Sequence, residues 1–383
     1  MSVTAARGFR AAGVTAGLKA SGRPDVALVV NDGPARSAAA VFTANRFAAA
    51  PVLWTRQVMS DGEVHAVVLN SGGANACTGP EGFADTHRTA EHVAALMRTG
   101  AGEVAVCSTG LIGERLPMDR LLAGVDEAVA CLSDDGGDTA AVAIMTTDTV
   151  PKTAVARGQG FTVGGMAKGA GMLAPGLATM LVVLTTDAVA EAADLDAALR
   201  GATRVTFDRI DSDGCMSTND TVLLLASGAS RVRPAPAELQ SVVTEVCADL
   251  ARQLIGDAEG ASKDIRIDVV HAATEGDAVE VARAVSRSNL LKCAIHGEDP
   301  NWGRVLAAVG TTSARFEPDG VSVAINGVWV CRDGGVGEDR TLVDMSGRDV
   351  VVSIDLGAGD SSASLWTNDL TADYVHENSA YST

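Results

Sequence analysis

Residues 164–186, GGMAKGAGMLAPGLATMLVVLTT, change character at one hydroxyl residue, Thr179. Five glycines and Pro175 lie among the first thirteen positions, and an apolar, β-branched run follows Thr179 directly. Glycine admits positive φ and close backbone approach, while proline fixes φ and removes a donor. A loop of this composition can hold a peptide bond in an unusual geometry against the start of a strand. The small Ala178 leaves its carbonyl open to attack by Thr179 Oγ, and hydrolysis of the resulting ester would release a new amino terminus. Thr179 would then carry a nucleophilic hydroxyl and an α-amine whose ordinary pKa, about 7.7–8.0, suits a general base near neutral pH. An Ala-Thr pair standing alone is an ordinary structural dipeptide.

Other residues of chemically useful types sit in short motifs rich in small side chains. CSTGLIG carries Thr109 and Gly110 just after an apolar run, IMTTDTVPK carries Thr146, and Lys168 lies eleven residues before Thr179. GDAEGASK places Glu259 between small residues after a long helical pattern, and ENSAYST ends the sequence with Asn378 and Thr383. Taken singly these are a turn, a hydroxyl, a loop lysine, a surface glutamate and a frayed tail. Gly169 to Ala174 matches the dinucleotide pattern G-x-G-x-x-A. That pattern binds a pyrophosphate only when a helix follows, whereas Pro175 and a β-branched run follow here. We read no nucleotide site.

Together with FRAAGVTAGLK, VFTANRFAAAPV, LNSGGANACTG and IHGEDPNWGR, these motifs run in order from residue 9 to 383. The set resembles the ornithine acetyltransferase family, whose self-processing motif KGAGMLAPGLATML is similar to. The resemblance implies a glutamate N-acetyltransferase that moves acetyl from N-acetyl-L-ornithine to L-glutamate. It implies cleavage between Ala178 and Thr179 and ping-pong transfer through an acetyl ester on Thr179. By the same resemblance Thr109 and Gly110 form the oxyanion hole, and Thr146, Lys168, Thr179, Glu259, Asn378 and Thr383 bind substrate. Glu259 is also a candidate acid or base, in competition with the Thr179 amine. The family needs no cofactor or metal, and its α and β fragments assemble as an α2β2 heterotetramer. HGEDPNWGR has no assigned chemistry; Asp299-Pro300 reads as a turn into a short helix, with Trp302 packing. An amidase or aminopeptidase on the same scaffold, and an unprocessed binding protein, remain the rival readings.

These residues need an α/β framework to position them. Short apolar runs at 26–31, 66–70, 103–107, 180–186 and 220–226 predict strands, and 84–98, 119–131, 193–201 and 236–253 predict helices. After about residue 280 a helix at 277–287 leads to strands at 291–296, 321–325, 328–331, 349–355 and 362–367. We expect a catalytic domain over 1–285 and a smaller α/β domain over 286–383. The resemblance implies a layered αββα sandwich, like N-terminal-nucleophile enzymes in layout but with its own topology.

Composition sets the remaining bounds. Acidic residues outnumber basic ones by 48 to 30, so the route to nucleic acid through counterion release is closed. The seven cysteines form no C-x-x-C pair and the six histidines lack metal-ligand spacing, which argues for a reducing cytoplasm and no structural zinc. The amino-terminal stretch has no uninterrupted apolar core for a signal peptide, and no apolar run approaches the ~20 residues that span a bilayer.

Overall fold

Runs of Val, Leu and Ala with no polar interruption make strands buried on both faces, and this sequence uses them in pairs of layers. The computed structural model describes residues 2–174 and 180–380. The described residues divide into two compact units: those up to Asp208 with Cys215–Leu254, and Arg209–Gly214 with Ile255 to residue 380.

The strands of unit 1 are β1 (Phe9–Val14), β2 (Val26–Asn31), β3 (Ala38–Phe42), β4 (Ala66–Ser71), β5 (Val104–Thr109), β6 (Lys152–Arg157), β7 (Thr162–Lys168), β8 (Leu181–Thr186) and β9 (Thr221–Ala226). Its helices are α1 (Ala50–Val58), α2 (Gly79–Met97), α3 (Met118–Ala130), α4 (Gly137–Ala143), α5 (Ala192–Val205) and α6 (Pro236–Gly256), the last two residues of α6 falling in unit 2. Among the described residues the strands form a four-stranded sheet, order β1-β2-β4-β5, and a five-stranded sheet, order β3-β9-β8-β7-β6. One core joins the facing sides of both sheets, with Ala27, Val29, Val67 and Leu69 in the same cluster as Met166, Leu181, Val183 and Leu223. Helices α1 to α3 cover the first sheet and α5 the second. α6 presses Val246 and Leu250 so closely on Gly165 of β7 that a Cβ there would lie 3.1 Å from Leu250. The layering is therefore helix, sheet, sheet, helix, and the fold is α/β as the sequence implies.

Unit 2 holds β10 (Asp264–Ala272), β11 (Ser322–Ile325), β12 (Val328–Arg332), β13 (Gly335–Val336), β14 (Asp349–Asp355) and β15 (Ser361–Asn368), with α7 (Glu275–Ser286), α8 (Asn289–His296), α9 (Trp302–Val309) and α10 (Ala372–Ala380). Its sheet has the order β13-β12-β11-β14-β10-β15. The apolar sides of α7, α8 and α9 share one core with it, and Trp302 packs at that core's margin.

Two expectations differ from what is observed. Residues 291–296, expected as a strand, form most of helix α8. Leu291, Ala294 and Ile295 recur at helical spacing on the buried side, and Ser288 caps the helix by accepting from Leu291 N–H. The division of the chain falls at Leu254/Ile255, whereas composition changes near 285. β10 and α7 precede that change, yet both pack with β14 and β15, so they belong to unit 2.

Candidate active site

Unit 1 gathers its candidate residues where strands end. β5 is buried throughout and finishes at Thr109, itself only 3% exposed. Gly110 follows at φ +129°, and a Cβ on it would lie 2.5 Å from the Gly73 nitrogen, so only glycine fits. The LNSGGANACTG and CSTGLIG motifs are thus two sides of one close approach. Gly73 bridges Thr109, and Ala74 N–H donates to Leu111 O at 2.9 Å. Asn219 ties the pair from a third segment, donating to Ala74 O at 2.6 Å and Ser108 O at 2.8 Å.

Lys168, the last residue of β7, is buried and donates from Nζ to Thr109 Oγ at 3.2 Å. The following amide, Gly169 N–H, donates to Asp148 Oδ1 at 2.7 Å. Asp148 Oδ1 also accepts from Lys152 Nζ at 2.7 Å, and Oδ2 accepts from the Thr146 amide at 2.9 Å. One carboxylate therefore fixes Thr146 and the residue after Lys168 together. Burial pushes the Asp148 carboxyl up, but Lys168, Lys152 and the hydrogen bonds outweigh it and hold it at about 2. FRAAGVTAGLK contributes Lys19, whose Nζ donates to Met145 O at 2.9 Å and whose pKa is lowered, chiefly by burial. Asp25 shapes that loop by accepting from the amides of Ala16, Leu18 and Lys19.

Ala178 and Thr179 lie outside the described residues. Met180, next in the chain, donates its amide to Asp220 Oδ1 at 3.0 Å, and Leu181 opens β8 opposite Lys168. The expected dinucleotide decoy gives no helix: residues 169–174 are irregular, with Met172 at φ +54°, and β8 is the next described element.

Unit 2 pairs two other candidates. Asn378, on α10, donates from Nδ2 to Glu259 Oε2 at 3.0 Å. Gly260, at φ +60°, lets α10 approach so closely that a Cβ would lie 2.2 Å from Tyr374 N, and Gly260 O accepts from Thr371 Oγ at 2.7 Å. Glu377 is pushed up by burial and then by the nearby charges of Glu259 and Asp373, so this corner favours a cation. Thr383 lies outside the described residues. HGEDPNWGR holds the loop after Glu259: Glu298 accepts from Lys263 Nζ at 3.0 Å, and His296 Nδ1 meets Asp369 Oδ2 at 2.9 Å. Asp369 also bonds Ser262 Oγ, and Asp369 Oδ1 accepts from Lys263 N–H at 2.9 Å.

Asp148, Lys152, Asn219 and Asp220 escaped the sequence reading. Their only signal there is an unusual density of polar residues, MTTDTVPK and STND, between apolar runs. Among the described residues no group of three or more His, Cys, Asp or Glu side chains is placed to hold a metal ion, and no helix is long and apolar enough to cross a membrane.

Comparison with known proteins extends these local matches to the whole chain. The family model described as the ArgJ family matches residues 10–383. The chain is 71% identical to the arginine biosynthesis bifunctional protein ArgJ of Streptomyces coelicolor and 67% identical to that of Thermobifida fusca, covering 100% of both partners in each pair. Among solved structures, ornithine acetyltransferase complexed with ornithine, from Mycobacterium tuberculosis, is 62% identical over 47% of this chain and 96% of that one, with a TM-score of 0.45. With a family match spanning all but the first nine residues and full-length relatives above two-thirds identity, the chain belongs to the ArgJ family.

Proposed function

We propose that the chain is a glutamate N-acetyltransferase that cuts itself between Ala178 and Thr179. It then carries acetyl from N-acetyl-L-ornithine to L-glutamate on Thr179 Oγ. The observation that carries this reading is the contact of Lys168 with Thr109, 3.2 Å apart, where β7 ends and β8 begins. Thr109 Oγ accepts from Lys168, so its own O–H points elsewhere, as a donor to a tetrahedral oxyanion must. Lys168 and Lys19 offer positive charge for a substrate α-carboxylate. The acidic corner at Glu259 and Asn378 suits an ammonium group, and Thr383 is proposed to join it.

In the first half-reaction the acetyl C–N bond of the donor breaks and an ester bond to Thr179 Oγ forms. The hydroxyl proton passes to the departing nitrogen, and ornithine leaves. Glutamate nitrogen then attacks the ester, and the proton returns to Thr179 Oγ. The Thr179 amine and Glu259 compete for the role of proton carrier. The fragments are proposed to stay together as α2β2 in the cytoplasm. The bifunctional description of the relatives supports acetyl-CoA as a second donor worth assaying.

Intact-mass spectrometry tests the reading. The purified protein should run as fragments of 178 and 205 residues, the larger beginning Thr-Met-Leu-Val. Donor without acceptor should add one acetyl group to that larger fragment, and glutamate should remove it. Transfer with no acetylated fragment at any time would mean direct transfer instead.

A further inference from the structure

Asp220 ends a loop, Ser217 to Asp220, that is densely hydrogen-bonded. Thr43 Oγ donates to Ser217 O at 2.6 Å, Thr218 Oγ to Asn219 Oδ1 at 2.6 Å, and Thr43 N–H to Asp220 O at 3.0 Å. Inside this shell the Asp220 carboxyl is the exception. It is wholly buried, Oδ1 accepts from Met180 N–H at 3.0 Å, and Oδ2 has no hydrogen-bond partner among the described residues. Buried polar atoms are almost always paired, so an unpaired carboxyl oxygen weakens the fold and calls for a reason.

Its position supplies one. Met180 directly follows Thr179 in the chain, so Asp220 holds the amide next to the proposed nucleophile. Lys168 pairs with Leu181 at the start of β8, and Thr109, at the end of β5 in the other sheet, lies 3.2 Å from the Lys168 ammonium. We infer that Asp220 positions Thr179 for self-cleavage, its carboxyl anchoring the amide that follows Thr179 in the chain. This assignment rests on the self-cleaving reading proposed above.

Burial pushes the carboxyl well above its usual range, outweighing the Met180 amide, the Ser217 hydroxyl and Lys168, which favours the protonated form. A protonated carboxyl accepts at one oxygen and donates at the other. Asparagine reproduces that pattern and shape, and leucine reproduces the shape alone. In the step served, the Ala178 C–N bond breaks and the ester bond to Thr179 Oγ forms, with the hydroxyl proton ending on the Thr179 nitrogen. Water then hydrolyses the ester, and Asp220 is unchanged overall.

The experiment follows fragment formation by gel and intact mass in full-length wild type, Asp220→Asn, Asp220→Leu, Asp220→Ala and Thr179→Ala, with thermal unfolding of each. Asp220→Asn should still cleave. Asp220→Leu and Asp220→Ala should fold with Tm near that of wild type yet cleave about a hundredfold more slowly, the scale of loss when a reacting group is misplaced by an ångström. A purely structural carboxyl would instead lower Tm while the surviving folded protein cleaved normally. Folded Asp220→Leu or Asp220→Ala that cleaves at the wild-type rate would overturn the assignment. So would folded Asp220→Asn that stays intact, which would make the acid itself the requirement. A wild type that never splits, or Thr179→Ala that does, would instead remove the self-cleavage reading on which the assignment stands.

Discussion

Asp148 and Asp220 are both buried carboxyls of unit 1, and their surroundings push them in opposite directions. Asp148 sits between Lys152 and Lys168 and stays ionised to about pH 2, whereas Asp220 has burial as its main influence and is driven up. For Asp148 the folded pKa is depressed, so its stabilisation is present above the ordinary value near 3.8 and fades as pH falls towards 2. Asp148→Asn should lose that acid limb and leave two buried lysines without their anion. Breaking a buried pair costs about 3–5 kcal/mol, which urea unfolding at pH 7 would read. Its KM for N-acetylornithine should also rise, because Thr146 and Gly169 lose their common anchor; unchanged stability and KM would contradict that role. Gly110→Ala should abolish acetyl transfer, since positive φ and the Gly73 backbone exclude a methyl group. Neither aspartate was legible in the sequence, because burial and the lysines that face them arise only when distant segments meet. Thr109, Gly110 and Lys168 were legible through their motifs, and the structure does bring them together.

Elements were legible in proportion to how plainly burial wrote itself into composition. VALVVN, AVVLN and VAVCS are apolar on both faces and could hardly be anything but interior strands. β6 and β7, KTAVAR and TVGGMAK, were missed: lysines and a glycine pair disguise positions that are buried, since Asp148 and Thr109 satisfy the lysines and α6 needs the space at Gly165. α8 was misread because six residues of LKCAIH, taken without their Ser288 cap, look like a strand. The close seat of α10 on Gly260 gives two predictions at this scale. Gly260→Ala should displace α10 and separate Asn378 from Glu259, raising KM for N-acetylornithine while fragment formation continues. Deleting residues 378–383 should likewise spare cleavage, whose proposed parts lie in unit 1, and reduce kcat/KM for N-acetylornithine, because Glu259 loses Asn378. A truncated enzyme with normal transfer would return the tail to an ordinary frayed end.

The whole molecule carries its domain division where packing, not composition, changes. Texture shifts near 285, but β10 is hydrogen-bonded to β14 and β15, so the second unit begins earlier, at Ile255. Long-range pairing of this kind is invisible to a local reading. The order of the five-stranded sheet, β3-β9-β8-β7-β6, has a further consequence. Strands β3, β6 and β7 precede residue 178, while β8 and β9 follow it, and the two sets interleave: β9 pairs β3, and β8 pairs β7 over six residues. A cut before Thr179 therefore separates the pieces by bond but not by fold, and neither piece can leave without tearing the sheet along two seams. Thermal unfolding should then depend more steeply on protein concentration for the cut enzyme than for Thr179→Ala, because melting releases twice as many chains. Equal slopes would argue that the pieces do not part on unfolding. On the proposed self-cleaving reading the continuous chain is a single-use assembly guide: after the cut, a molecule that opens regains its shape only when two separate pieces meet again, so its persistence depends on how much of each piece surrounds it.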